Sequence, residues 1–361
     1  MRRYYLDNVR WVTIVAVIVY HVLYMFNSIA TAGVIGPFRE KQYQDGLQYI
    51  LYPWFMILLF IVAGMCSRYY LEKHSVKEFI HSRTRKLLVP STVGLLVVGW
   101  VQGYVSMAIS NAFQDLPNSI PGVAMYFIMV LSGTGVLWFI QMLWLFSMLL
   151  AIINKLEKGK IYQLTGRINV IGLILFVIPV YLSGLILNTP VIVVYRFGIY
   201  GFTFFLGYFV FAHDEVIDRL SKYAVPLIAA AIILGVIYVV LYFGENYAVM
   251  PTVGCIPAVT YAWIACLAIL ASMKKWANVM PKFASEISKR SFGLYVFHYL
   301  PLSTTAYLLH KYTSVSALPS YLLIAIAAFL GSLILYEVIS RIPILRWCVL
   351  GIKKEKKNVQ G

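Results

Sequence analysis

The sequence predicts an all-α protein: a polytopic transmembrane helical bundle of about ten spans, with both termini in the cytoplasm. Three observations predict it. Of 361 residues, 61% are hydrophobic and only 12% charged, whereas a soluble domain is nearer half apolar and a quarter charged. The apolar residues gather into runs of about 20, the length an α-helix needs to cross the hydrocarbon core. Lys and Arg gather in alternate connections between those runs, as the positive-inside rule requires.

The runs fall at 11–31, 47–67, 87–108, 135–153, 168–187, 195–212, 223–243, 252–272, 291–309 and 319–339. The stretch 121–134 is apolar but short, with Gly122, Ser132 and Gly133 in it. It reads as a re-entrant or interfacial segment, or as part of a longer fourth span. The first run lacks a small-residue cleavage site and continues for about 20 residues, so it is expected to remain as a span.

With the N-terminus inside, all but four of the 30 Lys and Arg fall in cytoplasmic segments; the exceptions are Arg39, Lys41, Arg196 and Lys311. One missed or extra span in the middle would scramble that bias, which supports an even number. The net charge of +16 is divided among short clusters and forms no continuous stripe, so it reads as topology and not as a nucleic-acid surface. The basic tail 353–361 is expected to lie in the cytoplasm, attracted to anionic headgroups. No connection is long enough for a fused soluble domain, so 1–361 reads as one integral membrane domain.

Cys66, Cys255, Cys266 and Cys348 lie in or beside apolar runs with no CxxC pairing and are expected to be reduced, inert thiols. His74, His81, His213 and His310 have no ligand spacing to a Cys or a second His. No metal site and no bound cofactor are expected. No GxSxG, HExxH, GxxxxGK[ST] or GxGxxG pattern occurs where its mechanics would operate.

Ionisable groups within spans are costly and normally face the bundle interior or a wet cavity. Arg10 and His21 are 11 residues apart, three helical turns plus roughly 20°, hence on one face and about 16 Å apart along the axis. Asp7 lies one turn before Arg10. The stripe runs from a charged mouth to an imidazole near mid-bilayer, which suits a cavity open to the cytoplasm. The plainer reading is that Asp7 and Arg10 pair at the interface and His21 bonds a neighbouring carbonyl. His298 is the second deep histidine, in Ser291-Phe-Gly-Leu-Tyr-Val-Phe-His298-Tyr-Leu-Pro301. Pro301 frees a carbonyl near Phe297, and His298 either serves that polar demand or belongs to a site. Gln141 is a mid-span amide, more often a helix–helix contact than a reactant. Glu337 lies one turn before Arg341 and is expected to pair with it.

These residues resemble the acyltransferase-3 family of membrane O-acyltransferases, and the resemblance runs from end to end. It rests on Tyr5-Leu6-Asp7-Asn8-Val9-Arg10-Trp11 followed by His21; Phe60-Ile-Val-Ala-Gly64; Arg83-Thr-Arg85-Lys86-Leu-Leu-Val-Pro90; Trp138-Phe139; Phe205-Leu-Gly207-Tyr208; Ser291-x-x-x-Tyr295-x-x-His298-x-x-Pro301; and Tyr336-Glu337…Arg341-Ile-Pro343…Arg346. The last is similar to members that modify osmoregulated periplasmic glucans. One departure is Lys86 where the family often has a second Arg, which keeps charge but weakens bidentate phosphate recognition. Another is that the extracytoplasmic hydrolase-like domain carried by some members is not seen.

The resemblance implies transfer of an acetyl or succinyl group from cytoplasmic acyl-CoA to a carbohydrate hydroxyl, in the plasma (inner) membrane. Arg83, Arg85 and Lys86, with Arg10, would hold the CoA phosphates. His21 and Arg10 would be the catalytic pair, with His21 acting as general base or carrying the acyl group itself. Asp7, Trp138, Gln141, Tyr295 and His298 would belong to the acceptor pocket. Two other readings remain open: a transporter or flippase of a sugar-containing substrate, and a non-catalytic membrane sensor. Only 291–309 is an interrupted span and no halves match, which disfavours transport. The sequence leaves the oligomeric state open.

Overall fold

The computed structural model describes residues 3–29, 33–38, 42–117, 119–157, 159–189 and 192–352. The basic tail 353–361 lies outside these residues, as do Arg2, Arg39, Lys41 and Lys158. Among the described residues the only β pairing is a single bridge between Asn188 and Arg196; the rest of the ordered structure is helical.

The main helices are α1 (Tyr4–Tyr24), α2 (Tyr43–Leu71), α3 (Val76–Ile109), α4 (Gly122–Ser132), α5 (Gly135–Glu157), α6 (Val170–Gly184), α7 (Phe197–Phe211), α8 (Ala224–Tyr242) and α9 (Ile256–Trp276). They continue with α10 (Lys282–Phe297), α11 (Tyr299–Tyr312), α12 (Ala317–Arg341) and α13 (Pro343–Leu350). Seven of them, α1, α2, α3, α5, α8, α9 and α12, are long and apolar enough to cross a membrane, and α4, α6 and α7 are shorter apolar helices. Each of the ten apolar runs thus coincides largely with one helix, except that 291–309 is divided between α10 and α11 at His298. The protein is an all-α, multi-pass helical bundle.

The first helix begins seven residues before its apolar run. The early turns hold polar groups, yet they are packed: Asn8 donates from Nδ2 to the carbonyls of Ala277 (2.6 Å) and Val279 (2.8 Å). Helix α1 then stops at Tyr24, because the Gln42 side chain takes up the Phe26 carbonyl at 2.5 Å and turns the chain. His21 therefore stands three residues from the end of α1, farther from the Arg10 end than a mid-span position.

The segment 121–134 is the outer half of a broken fourth span. A Cβ at Gly103 would meet the Met129 carbonyl, and one at Gly133 the Gly99 carbonyl. Farther along, Gln141 bonds the Ser91 carbonyl at 3.1 Å and Trp144 the Thr84 hydroxyl at 3.2 Å. The partner numbers fall on α3 as they rise through α4 and α5, so the chain never reverses and the segment is not re-entrant. The break lies at Gly133–Leu137, with Gly135 at φ +42°, a conformation glycine adopts without steric cost. Opposite it, α3 is wound into wide π-type turns at Thr84–Leu88 and Pro90–Gly99; Pro90 has no N–H for regular winding.

Small residues set the closest crossing. A Cβ at Gly64 of α2 would meet the Phe204 carbonyl of α7, and one at Gly207 would meet the Ile61 carbonyl. Two of the motifs read from the sequence are thus the two sides of one backbone contact.

The connections gather at two opposite faces of the bundle. At one face Arg3 forms a bidentate pair with Asp214 (2.9 and 2.7 Å) and stacks on Tyr69 at 3.8 Å. Lys274 pairs with Asp218 at 2.9 Å, and Gly351 lies against the Arg85 carbonyl. At the other face Asp45 accepts from Ser28 at 2.7 Å and Tyr49 donates to the Glu245 carbonyl at 2.5 Å. Both described ends of the chain lie on the first, basic face.

Candidate active site at two adjoining cavities

Two cavities meet within the bundle. The one toward the basic face, about 460 Å³, is lined by Arg10, Cys66, Arg83, Lys86, Lys289 and Tyr336, with Leu350 and Ile352 at the end of α13. Its apolar wall comes from Ile14, Leu59, Phe139 and Tyr295. The second, about 340 Å³, is lined by His21 within an aromatic ring of Tyr20, Tyr24, Tyr52, Trp138, Tyr200 and Tyr299, and again by Tyr295.

The boundary follows from helix geometry. Ile14 on α1, Leu59 on α2 and Phe139 on α5 face the basic cavity, whereas Val17, Met56 and Val136, one turn away on the same segments, face the aromatic one. Tyr295 completes this collar. It is nearly fully buried, its hydroxyl donates to the Val136 carbonyl within the break of the fourth span, and its ring packs edge-on to Phe139 at 5.6 Å. The stripe from Arg10 to His21 is therefore not one open channel; a collar of apolar side chains divides it.

Four cations, Arg10, Arg83, Lys86 and Lys289, line the basic cavity, and two of them are paired with acids. Arg10 lies 3.6 Å from Asp7 and donates from Nη2 to the Cys66 sulfur at 3.3 Å. Arg83 donates to the Ser67 hydroxyl at 2.9 Å, and Lys289 pairs with Glu286 at 2.6 Å. Arginines beside one another with few carboxylates suit a polyanionic ligand.

Around the aromatic cavity, the Nδ1 of His21 lies 3.1 Å from the Nε2 of His298. His298 is fully buried, and its Nδ1 lies 2.8 Å from the Tyr295 carbonyl and 3.2 Å from that of Leu294. Tyr299 packs edge-on to His21 at 5.2 Å, and Trp138 lies 5.7 Å from Tyr200. Faces of Trp and Tyr are surfaces on which sugar rings or other amphipathic groups lie well.

The structure thus brings Arg10, Arg83 and Lys86 together at one cavity, and His21, Trp138 and Tyr295 at the other, with His298 directly behind His21. It does not bring all the expected residues there. Arg85 does not line the basic cavity; its carbonyl lies against Gly351. Asp7 stays at the basic end of α1 beside Arg10, away from the aromatic cavity. Gln141 joins α3 and the Tyr195 hydroxyl (2.6 Å), as a helix–helix contact would. Glu337 pairs with Arg341 at 2.6 Å, as its spacing predicts. Among the described residues no group of three or more His, Cys, Asp or Glu side chains could hold a metal ion.

Sequence reasoning missed Cys66, Lys289 and Tyr336 in the basic cavity, and most of the tyrosines in the other. A signal for the tyrosines exists: Tyr20-His21-x-x-Tyr24 and Tyr295-x-x-His298-Tyr299 each set an imidazole among phenols at helical spacing. Lys289 carried none, because it resembles any interfacial lysine.

The multi-pass helical bundle thus holds two adjoining cavities that share Tyr295, with the His21 imidazole lining the aromatic one. Residues 3–337 match the acyltransferase-3 family model, described as an acyltransferase domain. The chain belongs to that family and is an acyltransferase. Neither curated proteins nor solved structures gave a match.

Proposed function

We propose that the protein transfers an acyl group, acetyl or succinyl, from cytoplasmic acyl-CoA to a hydroxyl of a carbohydrate presented on the far side of the plasma membrane. The observation that carries this reading is the pair of cavities sharing Tyr295, one cationic and one aromatic with His21 in it. Arg10, Arg83, Lys86 and Lys289 suit the CoA phosphates, and the apolar collar beyond them suits a pantetheine arm. The aromatic cavity suits a sugar ring.

In the direct route, His21 removes the proton from the acceptor hydroxyl as its oxygen attacks the thioester carbonyl. The tetrahedral intermediate collapses to the ester, and the CoA thiolate leaves with the proton returned by the imidazolium. In the two-step route His21 first takes the acyl group, releasing CoA, and then gives it to the hydroxyl. Either route needs Tyr295 to yield, since its ring stands between the cavities.

The test uses purified protein in nanodiscs with radiolabelled acetyl-CoA or succinyl-CoA and periplasmic-type glucans as acceptor. Labelled ester is expected with the wild type and not with His21→Ala. Equal transfer by both would remove His21 from the chemistry, and passage of intact glycan into sealed vesicles without acyl consumption would replace the reading with transport.

A further inference from the structure

We infer that His298 is a positioning residue that fixes His21 in the tautomer with its proton on Nδ1, leaving the lone pair on Nε2. The inference deepens the acyltransferase reading and rests on it for its catalytic meaning, although the tautomer itself does not.

The argument is one of donors and acceptors. His298 Nδ1 faces two carbonyl oxygens, Tyr295 at 2.8 Å and Leu294 at 3.2 Å. Carbonyls only accept, so Nδ1 must carry a proton. The ring is fully buried, and among the described residues its hydrogen-bond partners are these carbonyls and His21, with no carboxylate. A charged imidazolium there would be unpaired, which is costly. His298 is therefore neutral, and its Nε2 can only accept. The atom facing that nitrogen at 3.1 Å is His21 Nδ1, which must then be the donor; His21 also bonds the Val17 carbonyl one turn earlier on α1, a second acceptor that asks for a proton in the same way.

A neutral His21 that donates from Nδ1 is bare at Nε2. That nitrogen lies on the ring edge away from His298, and His21 lines the aromatic cavity. In the proposed reaction Nε2 would be the base, on a ring that lines the cavity where a hydroxyl would enter. The opposite assignment, with Nε2–H on His298, would require it to be charged, and would leave His21 with its proton toward the cavity and no lone pair to use. The same logic orients many catalytic imidazoles, where the group bonded to one ring nitrogen decides what the other can do.

The local fold supports the role. His298 occupies the junction of α10 and α11, and its own carbonyl accepts from Leu302 at 3.2 Å, one residue beyond Pro301. Its side chain is held by its own helix rather than by a neighbour free to move, so the orientation of His21 is tied to the backbone.

The test is nitrogen-15 NMR of histidine-labelled protein in lipid nanodiscs, with the six histidines assigned by single substitutions. In the wild type, His21 is expected to show a protonated Nδ1 and a bare Nε2; in His298→Leu it is expected to shift toward Nε2–H. A wild-type His21 protonated at Nε2, or one unchanged in His298→Leu, overturns the inference. In parallel, His298→Leu is expected to lower kcat roughly 100-fold with acyl-CoA KM within about twofold, and His298→Gln, which keeps an acceptor near the Nε2 position, to recover at least tenfold of that loss. Unchanged kcat in His298→Leu overturns the catalytic part. Should no acyl transfer occur in any variant, the proposed reaction fails while the NMR result still decides the tautomer. If His298→Leu fails to fold, the wild-type spectrum and His298→Gln carry the decision.

Discussion

Ile14 and Val17 stand one turn apart on α1, yet they face different cavities. The same alternation recurs between Leu59 and Met56 and between Phe139 and Val136, so a single apolar layer separates the cationic side from His21. In the proposed reaction, a thioester held behind that layer would be shielded from water on the acceptor side until an acceptor is present.

The side chain in that layer best placed to act as a door is Tyr295. Tyr295→Ala joins the cavities and is expected to raise hydrolysis of acyl-CoA without acceptor several-fold while lowering ester yield per CoA released. Tyr295→Phe, which loses only the hydroxyl bond to the Val136 carbonyl, is expected to lie between. Hydrolysis in Tyr295→Ala no faster than in the wild type would show that the ring is not the barrier.

Arg83 and Arg85 are two residues apart, but only Arg83 lines the basic cavity. Arg83→Ala is expected to weaken acyl-CoA binding about tenfold, in keeping with loss of a charge-assisted contact, and to lessen its dependence on salt. Arg85→Ala is expected to change it less than about twofold. Titration of both variants in nanodiscs with a non-hydrolysable acyl-CoA checks this, and equal effects would move the phosphate site.

Cys66 gives a chemical readout of the same cavity. Its sulfur accepts from Arg10 at 3.3 Å, and the thiol is free. N-ethylmaleimide labelling of Cys66 is expected to slow several-fold with saturating acyl-CoA, whereas labelling of Cys255, which is outside this cavity, is not. Labelling of Cys66 at the same rate with and without acyl-CoA would argue against donor binding there.

The Gly64–Gly207 crossing leaves no room for a methyl group. Gly64→Ala is expected to cost about 1–3 kcal/mol through overpacking, seen as a lower Tm in detergent. Gly122→Ala, where an added Cβ meets nothing within 4 Å, serves as the control and is expected to leave Tm nearly unchanged.

At the basic face the Arg3 guanidinium holds the Asp214 carboxyl below the ordinary carboxylate range. A carboxyl with a depressed folded-state pKa stabilises the fold above its unfolded value, about 3.9, and that contribution disappears as pH falls through the folded value. Both side chains are partly exposed (31% and 47%), so the pair contributes about 0.2–1 kcal/mol. Asp214→Asn is expected to lower Tm slightly at pH 7, and the gap to the wild type to close on acidification below about pH 4. A gap independent of pH would assign the effect to packing.

The fold class was legible because membrane solvation acts on composition and charge, which are local properties of sequence. The ten apolar runs and the segregation of basic connections needed no tertiary knowledge. The ends of α1 were not legible: Asn8 becomes helical through carbonyls more than 260 residues away, a partner that periodicity cannot reveal. The phase match of Arg10 and His21 correctly placed both on the inner side of α1. It could not show that Tyr295 and Phe139, from α10 and α5, close the space between them. His298 was noticed as a deep polar group, but its bond to His21 depends on how α10 packs on α1.

The basic cavity has walls from both ends of the described chain: Arg10 from the first helix, Leu350 and Ile352 from the last. During synthesis, a nascent chain that has emplaced α1 to α9 has its arginines but no completed pocket around them. If this is where the proposed donor binds, competence to hold it would arrive late, so an incompletely inserted protein is expected to be inert toward acyl-CoA rather than a wasteful thioesterase.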